Sequence, residues 1–380
     1  MTGDVLILGG GTGGSVLANR LSDRLAGEVD AGDVRIRMVN DGHRHVYKPT
    51  FLYVPFGRKE VEDASRPLDQ LLSRRVERVD DRAIDIDPST KTVELADGAP
   101  VSYDHLVVAT GTGVDPDEIP GLAEGGHHFY SAEGATALRE ALADFNGGHL
   151  VVSVVGVPHM CPVAPVEFTL MADAWFRRRG IREAVDITYT YPIMRPHGIP
   201  TVADFASELF EARDVDVRTF FNAETVDPEA QVVTSMEGTE LEYDLLVTIP
   251  PHTGSDLVRE AGLGDDGWME VDRRTLEATG AEDVYAIGDV ADLPTSKAGS
   301  VAHYAAGVVA DRLADRVRGR TPTATFDGKT VCFIETGLDE GTFIEFGYGE
   351  EPTVREPSRA IHWAKLGYNE SYWLTARGLL

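Results

Sequence analysis

The chain has two residues suited to thiol chemistry, Cys161 and Cys332, and they are its only cysteines. Cys161 lies in a proline-rich loop before a segment in which helical periodicity resumes at Glu167. A thiol just before a helix N-terminus has a lowered pKa, so we expect Cys161 to be a redox-active nucleophile. The alternative is a thiol that packs as a small apolar side chain. Cys332 lies in a strand-like run, where the packing and redox roles are equally open.

A glycine-rich turn near the start of the chain follows a short apolar strand at residues 5–8. Gly9, Gly11 and Gly14 have the G-x-G-x-x-G spacing, and a helical segment and a second strand follow. In this context the glycines permit a tight turn, and the helix N-terminus holds a pyrophosphate. The sequence therefore predicts a dinucleotide site. Asn40 ends the second strand, where an acidic residue usually binds the ribose, and its amide can still bond a hydroxyl.

Two later segments complete this pattern. Thr110 and Gly111 follow the apolar strand at 103–108, and Gly288 and Asp289 end another apolar strand. Together with the glycine turn, they resemble the FAD-binding half of the glutathione-reductase superfamily. The resemblance implies that the glycines hold the FAD pyrophosphate, that Thr110 and Gly111 lie against the cofactor, and that Asp289 binds its ribityl chain.

The predicted fold class is α/β, with two Rossmann-like dinucleotide-binding domains of glutathione-reductase type and a small C-terminal α+β region. The expected limits are 1–112 with 280–325 for the discontinuous FAD domain and 113–279 for the second. Residues 326–380 are expected to face a membrane and quinone or to mediate dimerisation. The second glycine turn is degenerate, because Pro158 lacks an N–H and fills the space of a pyrophosphate. We therefore expect that NAD(P)H is not the electron donor.

The resemblance becomes narrower around the two thiols. The Cys-Pro-x-Ala-Pro-x-Glu segment from Cys161 and the Cys-Phe-Ile-Glu-Thr-Gly segment from Cys332 resemble sulfide:quinone oxidoreductases. They are also similar to the flavoprotein subunit of flavocytochrome c sulfide dehydrogenase. The resemblance implies that sulfide is oxidised to polysulfide at the cysteine pair and that FAD passes the electrons to a membrane quinone. It also implies that Glu167 and His197 handle protons and that Lys297 faces the flavin.

Alternatives remain for several of these assignments. Many members of the family carry a third cysteine, which residues 126–133 lack, so we expect non-covalent FAD. His197 could be a surface-loop residue, and Glu167 could be an acid favoured by the helix dipole. A soluble subunit with a cytochrome acceptor, a type II NADH dehydrogenase and a non-enzymatic flavin sensor are the competing functions.

Charge is the outstanding feature of the composition. The 380 residues include 63 acidic and 35 basic side chains, a net charge of −28. A chain this acidic repels phosphates, so we expect no nucleic-acid partner. Acid-rich, lysine-poor surfaces suit concentrated salt, and we expect a salt-adapted source. No metal site is predicted.

The C-terminal thirty residues differ from the rest of the chain. They contain four basic and three acidic side chains and several aromatic residues, among them Trp363. We expect a peripheral membrane contact there, with Phe333 and Trp363 facing a quinone. The alternative is a helix that packs on the core or against a second copy in a homodimer. The sequence shows no signal-peptide pattern or membrane-spanning stretch, so we expect a cytoplasmic protein on the inner face of the membrane.

Overall fold

A computed structural model of the chain describes residues 3–379. The α-helices in this range are, in chain order, α1 (Thr12–Arg24), α2 (Ala26–Asp30), α3 (Leu122–Gly125), α4 (Ala132–Asp144), α5 (Ala164–Arg179), α6 (Pro200–Glu211), α7 (Asp256–Glu260), α8 (Gly299–Val317) and α9 (Arg359–Ala376). The β-strands are β1 (Gly3–Leu8), β2 (Val34–Asn40), β3 (Arg44–Val46), β4 (Ser65–Pro67), β5 (Val76–Asp80), β6 (Ala83–Asp87), β7 (Thr92–Leu95), β8 (Val101–Ser102), β9 (His105–Val108), β10 (Gly113–Val114), β11 (Gly148–Val154), β12 (Val185–Tyr191), β13 (Val215–Thr219), β14 (Ala223–Asp227), β15 (Val232–Ser235), β16 (Glu240–Glu242), β17 (Leu245–Ile249), β18 (His252–Thr253), β19 (Met269–Glu270), β20 (Val284–Ala286), β21 (Ala291–Asp292), β22 (Thr330–Glu335), β23 (Gly341–Phe346) and β24 (Thr353–Val354). Leu380, the last residue of the predicted membrane-contact segment, lies outside the described residues.

Two parallel sheets form the framework of the molecule. The first has the strand order β20-β9-β1-β2-β5, and the second has the order β13-β12-β11-β17. Neighbouring strands in both sheets run parallel. The chain leaves the first sheet after β9, builds the second sheet and returns at β20. This architecture confirms the predicted α/β class with two Rossmann-like units, while the domain limits themselves stay predictions.

The first sheet brings the predicted FAD-binding residues to a single edge. Gly9 follows β1, Asn40 ends β2, Thr110 follows β9 shortly after its last residue, and Gly288 follows β20 in the same way. Because these strands are parallel and adjacent, their carboxyl ends meet at one edge, which is where ligands bind in open α/β sheets. The buried apolar strands that precede these turns explain why the residues converge despite their distance in sequence.

The C-terminal part of the chain forms a separate antiparallel sheet, β22-β23-β24, followed by α9. One end of α9 packs on the start of α1. The Tyr372 hydroxyl lies 2.6 Å from Oγ1 of Thr12 and 2.7 Å from Nε2 of His45, and its ring stacks on Tyr47 at 3.7 Å. Nδ2 of Asn19 donates to the last carbonyl of α9 at 2.8 Å. Helix α9 is therefore held against α1 of the predicted FAD domain.

Candidate functional site

The glycine turn has the steric properties that a dinucleotide site requires. Gly9 has φ of +102°, and a Cβ on Gly14 would lie only 1.9 Å from the carbonyl oxygen of Gly9. Gly11 is the N-cap of α1 without a side-chain cap, and a Cβ there would meet nothing within 4 Å. The start of α1 therefore has no side-chain cap and leaves room beside Gly11, as a pyrophosphate site at a helix N-terminus needs. These residues fit FAD.

Asn40 lies at the expected edge, but its amide is already used by the main chain. Its Oδ1 accepts the amide of Gly10 at 2.6 Å, and its Nδ2 donates to the carbonyls of Asp41 and Gly42. Asn40 therefore holds the glycine turn in shape. Its predicted contact with the ribose stays a prediction.

The Gly288–Asp289 segment starts a short 3₁₀ turn, and the long helix α8 begins only at Gly299. β21 and a loop separate this turn from α8. Burial raises the pKa of the Asp289 carboxyl, against the opposing charges of Lys48 and Lys297. Nζ of Lys297 donates to the main-chain oxygen of Asp289 at 2.8 Å and lies 3.9 Å above the Trp268 ring. Whether Lys297 faces the flavin stays a prediction.

Cys161 lies in the loop between β11 and α5, three positions before the helix begins. The helix starts at Ala164, earlier than the Glu167 predicted from periodicity, because Pro165 is well placed in a first helical turn. The amide of Cys161 donates to the carbonyl of Lys297 at 2.8 Å. This hydrogen bond fixes the thiol loop to the segment that follows Asp289.

The expectation that the Cys161 thiol has a lowered pKa was wrong. Burial raises its pKa well above the ordinary value, and the charges of Glu167 and Cys332 raise it further. The expected helix effect exists, since the amide of Ala164 bonds the thiol and lowers its pKa, but it is outweighed. Cys161 packs against the buried cluster that contains Cys332, so the two thiols belong to one part of the core. Both are free in this structure.

Cys332 lies on β22, and its pKa is raised to about 12 by burial and by Glu167. Ile334, two positions further along β22, is fully buried. The amide of Val331, the residue before Cys332, donates to Oγ of Ser300 at 3.1 Å. Ser300 is in the first turn of α8 and Lys297 lies just before it. The same short stretch of chain therefore fixes both cysteines.

Glu167 is in the first turn of α5, where the helix dipole favours an acidic side chain, but it also forms a buried ion pair. It is 2% exposed and accepts hydrogen bonds from Nζ of Lys365 and from the amide of Glu335, the latter at 2.8 Å. Burial raises the pKa of Glu167 despite the neighbouring ammonium. Burial alone would lower the pKa of Lys365, but the charges of Glu167, Tyr53 and Glu335 outweigh it and raise this pKa.

Glu335 extends this ion pair into a network. Its Oε1 accepts the Tyr53 hydroxyl at 2.7 Å, its Oε2 lies 2.8 Å from Nδ1 of His362, and Lys365 is 4.0 Å away. The network joins α5, β22 and α9 next to the thiols, and the Lys365 ammonium lowers the pKa of both Cys161 and Cys332 against the effect of burial. The ammonium therefore offsets part of the cost that burial imposes on an anionic sulfur.

The sequence analysis missed Lys365, His362, Glu335 and Tyr53. Glu335 lies inside the Cys-Phe-Ile-Glu-Thr-Gly segment, and His362 and Lys365 are three positions apart on one face of a helix. These two signals could have indicated a buried polar face. The pairing of Lys365 with Glu167 is a contact between residues far apart in sequence, and no local sequence pattern indicates it.

His197 is 1% exposed, which contradicts the alternative of a surface-loop residue. Its Nδ1 accepts the amide of Ile199 at 3.0 Å, and it lies close to the carbonyl of Pro162, next to Cys161. Burial and then His159 lower its pKa to about 4. His197 is thus a neutral ring beside the thiol loop, and its role with protons stays a prediction.

The two residues predicted to face a quinone lie in different surroundings. Phe333 is partly buried and packs with Phe343 and Tyr368, with ring centroids 5.9 Å apart in each pair. Trp363 is 67% exposed on the outer side of α9. The local basic surplus of this segment does not reach the surface, because Lys365 turns inward to Glu167.

The comparisons with known proteins identify the family of the chain. Residues 3–308 match the pyridine nucleotide-disulphide oxidoreductase family. The chain is 28% identical over 366 residues to the mitochondrial sulfide:quinone oxidoreductase of Mus musculus, covering 93% of this chain and 80% of that protein. It is 24% identical to the sulfide-quinone reductase of Aquifex aeolicus, covering 99% and 89%. The X-ray structure of the Aquifex aeolicus sulfide:quinone oxidoreductase is similar with a TM-score of 0.87 at 22% identity, covering 99% of this chain and 92% of that one. These similarities confirm the resemblance read from the sequence.

Proposed function

The chain belongs to the pyridine nucleotide-disulphide oxidoreductase family, and we propose that this FAD-dependent oxidoreductase oxidises sulfide to polysulfide and passes the electrons to a membrane quinone. One observation carries the proposal. Cys161 and Cys332 are far apart in sequence, yet Cys161 packs against the buried cluster that contains Cys332, and the chain at both cysteines is hydrogen-bonded to the segment that follows Asp289. A thiol pair at the expected flavin edge is what this chemistry needs.

In the proposed reaction the two cysteines start as a disulfide, which forms when the two thiols lose two protons and two electrons, the latter to the flavin when it is bound. A hydrosulfide ion attacks one sulfur, so that a new S–S bond forms, the cysteine–cysteine bond breaks and the other cysteine becomes a thiolate. FAD, when bound, supplies the acceptor for the two electrons and can pass them on to the quinone. A second sulfide then removes the bound sulfur as polysulfide. Hydrogen sulfide thereby loses two electrons and two protons, and the quinone gains both to become a quinol.

The residues of this chain have distinct parts in the proposed sequence. Lys365 stabilises the thiolate or persulfide, because its ammonium is the cation that acts on both thiols. Glu167 keeps Lys365 in place and, together with His197, is the proposed route for protons. The glycine turn and the N-terminus of α1 hold the FAD pyrophosphate. We propose that FAD is bound non-covalently, since residues 126–133 contain no cysteine.

We also propose that α9 makes the membrane contact. The outward side of this helix presents Ala360, Trp363, Ala364, Gly367 and Leu374, which are all exposed and uncharged, and the exposed Glu370 at the margin of this face pairs with Lys59. Such a face suits the boundary of a bilayer, where aromatic and aliphatic groups enter and charges stay outside. Among residues 3–379, no helix combines the length and apolar character that a membrane crossing requires. We propose a peripheral seat on the inner face of the membrane, and a homodimer stays a prediction.

The test is anaerobic reduction of the purified flavoprotein. We expect sulfide to bleach the flavin within seconds and NADH to do so far more slowly, because Pro158 occupies the second nucleotide turn. Cys161→Ser and Cys332→Ser should each abolish sulfide-dependent quinone reduction, and the double variant should be little worse than either, since a coupled pair is not additive. FAD content should stay normal in all three variants.

Two results would contradict the proposal. Near-wild-type turnover in either single cysteine variant would mean that the thiol only packs, and the sulfide chemistry would lose its basis. Rapid bleaching by NADH together with slow bleaching by sulfide would favour a type II NADH dehydrogenase instead. Flavin that stays on the polypeptide after acid precipitation would contradict non-covalent binding.

A further inference from the structure

Two histidines that the proposed reaction does not use lie beside the Cys161 loop. His159 is 2% exposed and stands two positions before Cys161, while His252 starts β18. Their ring centroids are 6.0 Å apart at an interplanar angle of 50°. The Tyr130 ring packs edge-on against His252 at 4.9 Å. The Tyr130 hydroxyl donates to the carbonyl oxygen of Met160 at 3.2 Å, so Tyr130 links His252 to the residue before Cys161.

The hydrogen bonds of these two rings define their tautomers. Nδ1 of His159 lies 3.2 Å from the carbonyl oxygen of Met160, and Nδ1 of His252 lies 2.8 Å from that of Pro250. Because a carbonyl oxygen only accepts, both Nδ1 atoms carry the proton. Burial lowers the pKa of His159 to about 4 and that of His252 to about 3, so both rings are neutral near neutral pH. Each Nε2 is therefore an unprotonated acceptor.

Both Nε2 atoms are shielded from solvent and have no hydrogen-bond partner among the described residues. Two acceptors cannot bond each other, and a buried acceptor without a donor costs free energy. Neutral hydrogen sulfide carries two S–H donors on one small atom, whereas the hydrosulfide ion has one donor and a negative charge. Within residues 3–379, no group of three His, Cys, Asp or Glu side chains has a geometry that could hold a metal ion. The two neutral acceptors match a ligand that carries two donors.

We infer that His159 and His252 form a binding site for neutral hydrogen sulfide, in which their Nε2 atoms accept its two S–H groups and hold the sulfur beside Cys161. The inference rests on the proposed function and extends it from the reactive thiols to the form of sulfide that binds first. His197 completes the surroundings with the opposite tautomer. Its Nδ1 accepts the amide of Ile199, so its Nε2 carries the proton and can donate to a sulfur lone pair.

The other titratable groups that face His252 are Lys48 and His128. Nζ of Lys48 donates to Sδ of Met160 at 3.2 Å and to the carbonyl of Thr112 at 3.3 Å, and its charge opposes protonation of His252. Burial keeps the pKa of His128 low as well. These groups help to keep His252 neutral, so its Nε2 stays an acceptor.

The experiment compares two kinds of substitution at each histidine. Asparagine places an amide N–H near the Nδ1 position and removes Nε2, whereas glutamine places its terminal amide near Nε2. The readout is anaerobic stopped-flow reduction of the flavin at varied sulfide concentration. We expect His159→Asn and His252→Asn each to raise the half-saturating concentration about tenfold, the effect of one lost hydrogen bond, with a limiting rate within about threefold of wild type. The corresponding glutamine variants should stay within about threefold in both quantities.

The matched control is His149→Asn, which should change neither quantity. His149 lies at the opposite end of β11 from the Cys161 loop, and its Nε2 is bonded to Thr188 at 2.8 Å. A second measurement needs no variant. The half-saturating concentration of the wild-type enzyme, expressed as neutral hydrogen sulfide, should stay constant between about pH 6 and pH 8.

The possible outcomes separate this site from the proposed function. The binding site would be overturned if the asparagine variants had the half-saturating sulfide concentration of wild type. It would also be overturned if that concentration were constant with pH only when expressed as hydrosulfide. In both cases the proposed sulfide oxidation would still stand. A wild-type enzyme whose flavin sulfide does not reduce would overturn both.

Discussion

Removal of the Lys365 ammonium is the sharpest test of the site. In Lys365→Met, the buried carboxyls of Glu167 and Glu335 lose their shared cation, although Glu335 keeps its contacts with Tyr53 and His362. Breaking a buried pair from one side costs about 3–5 kcal/mol, and we expect this variant near the upper end. Glu167→Gln should cost less, because Lys365 still has Glu335 at 4.0 Å.

The double variant Glu167→Gln with Lys365→Met should be more stable than the sum of the two single costs predicts. In the double variant neither the Lys365 ammonium nor the Glu167 carboxylate is left buried without its partner. We therefore expect a coupling energy between the two substitutions of at least roughly 2 kcal/mol. The assay is urea unfolding of the FAD-saturated protein at one fixed salt concentration. Lys59→Met is the matched control. Lys59 also pairs with a glutamate of α9, Glu370, but at the surface, and its loss should cost less than about 1 kcal/mol.

The same variants have a kinetic readout. Lys365 lowers the pKa of both thiols, so in Lys365→Met the pH profile of sulfide-dependent flavin reduction should move to higher pH. The reasoning would be refuted if the single effects on unfolding added within about 0.5 kcal/mol. It would also be refuted if Lys365→Met were as stable as Lys59→Met.

Three further expectations concern the cofactor site, pH and the membrane. Gly14→Ala should lose both folded protein and FAD, because its Cβ would lie 1.9 Å from an oxygen, whereas Gly11→Ala should fold and lose only FAD affinity, as thermal unfolding and flavin release can show. Burial lowers the pKa of His45 and His159 to about 4, so the unfolded chain takes up their protons first as the pH falls below about 6.5. The free energy of unfolding should therefore decrease on acidification, by at most about 1.4 kcal/mol per pH unit for each histidine, and a flat urea-midpoint profile from neutral to acidic pH would contradict this. Trp363→Ser should weaken partition into liposomes without slowing flavin reduction by sulfide, and unchanged partition would reject α9 as the membrane face.

The features that the sequence predicted are those with a local signal. The spacing of Gly9, Gly11 and Gly14 reflects a turn that a side chain would block, and apolar runs such as residues 5–8 mark buried parallel strands. The helix after Cys161 was also predicted from a local signal, the helical periodicity of its apolar residues. Its start was misplaced because two prolines obscured the periodicity, although proline is well tolerated in a first helical turn.

The electrostatic state of the site could not be read in the same way. A helix N-terminus lowers a thiol pKa, and that local effect is present at Cys161. Its outcome depends on burial and on Glu167, which only the tertiary structure determines. Lys365 illustrates the point from the other side. In sequence it counted toward a basic surface segment, but the fold turns it inward to neutralise a buried acid.

The structure also changes how the proposed membrane role of α9 must be tested. Truncation of the C-terminus would remove Trp363, but it would equally remove Lys365 from the thiols and Tyr372 from its contact with Thr12 at the start of α1. Loss of quinone turnover in a truncated protein would then report damage to the thiol pair or to FAD binding. Trp363 and its exposed neighbours lie on the side of α9 opposite to Lys365 and Tyr372. Only substitutions confined to that outer side can therefore test membrane binding without also disturbing the proposed redox site.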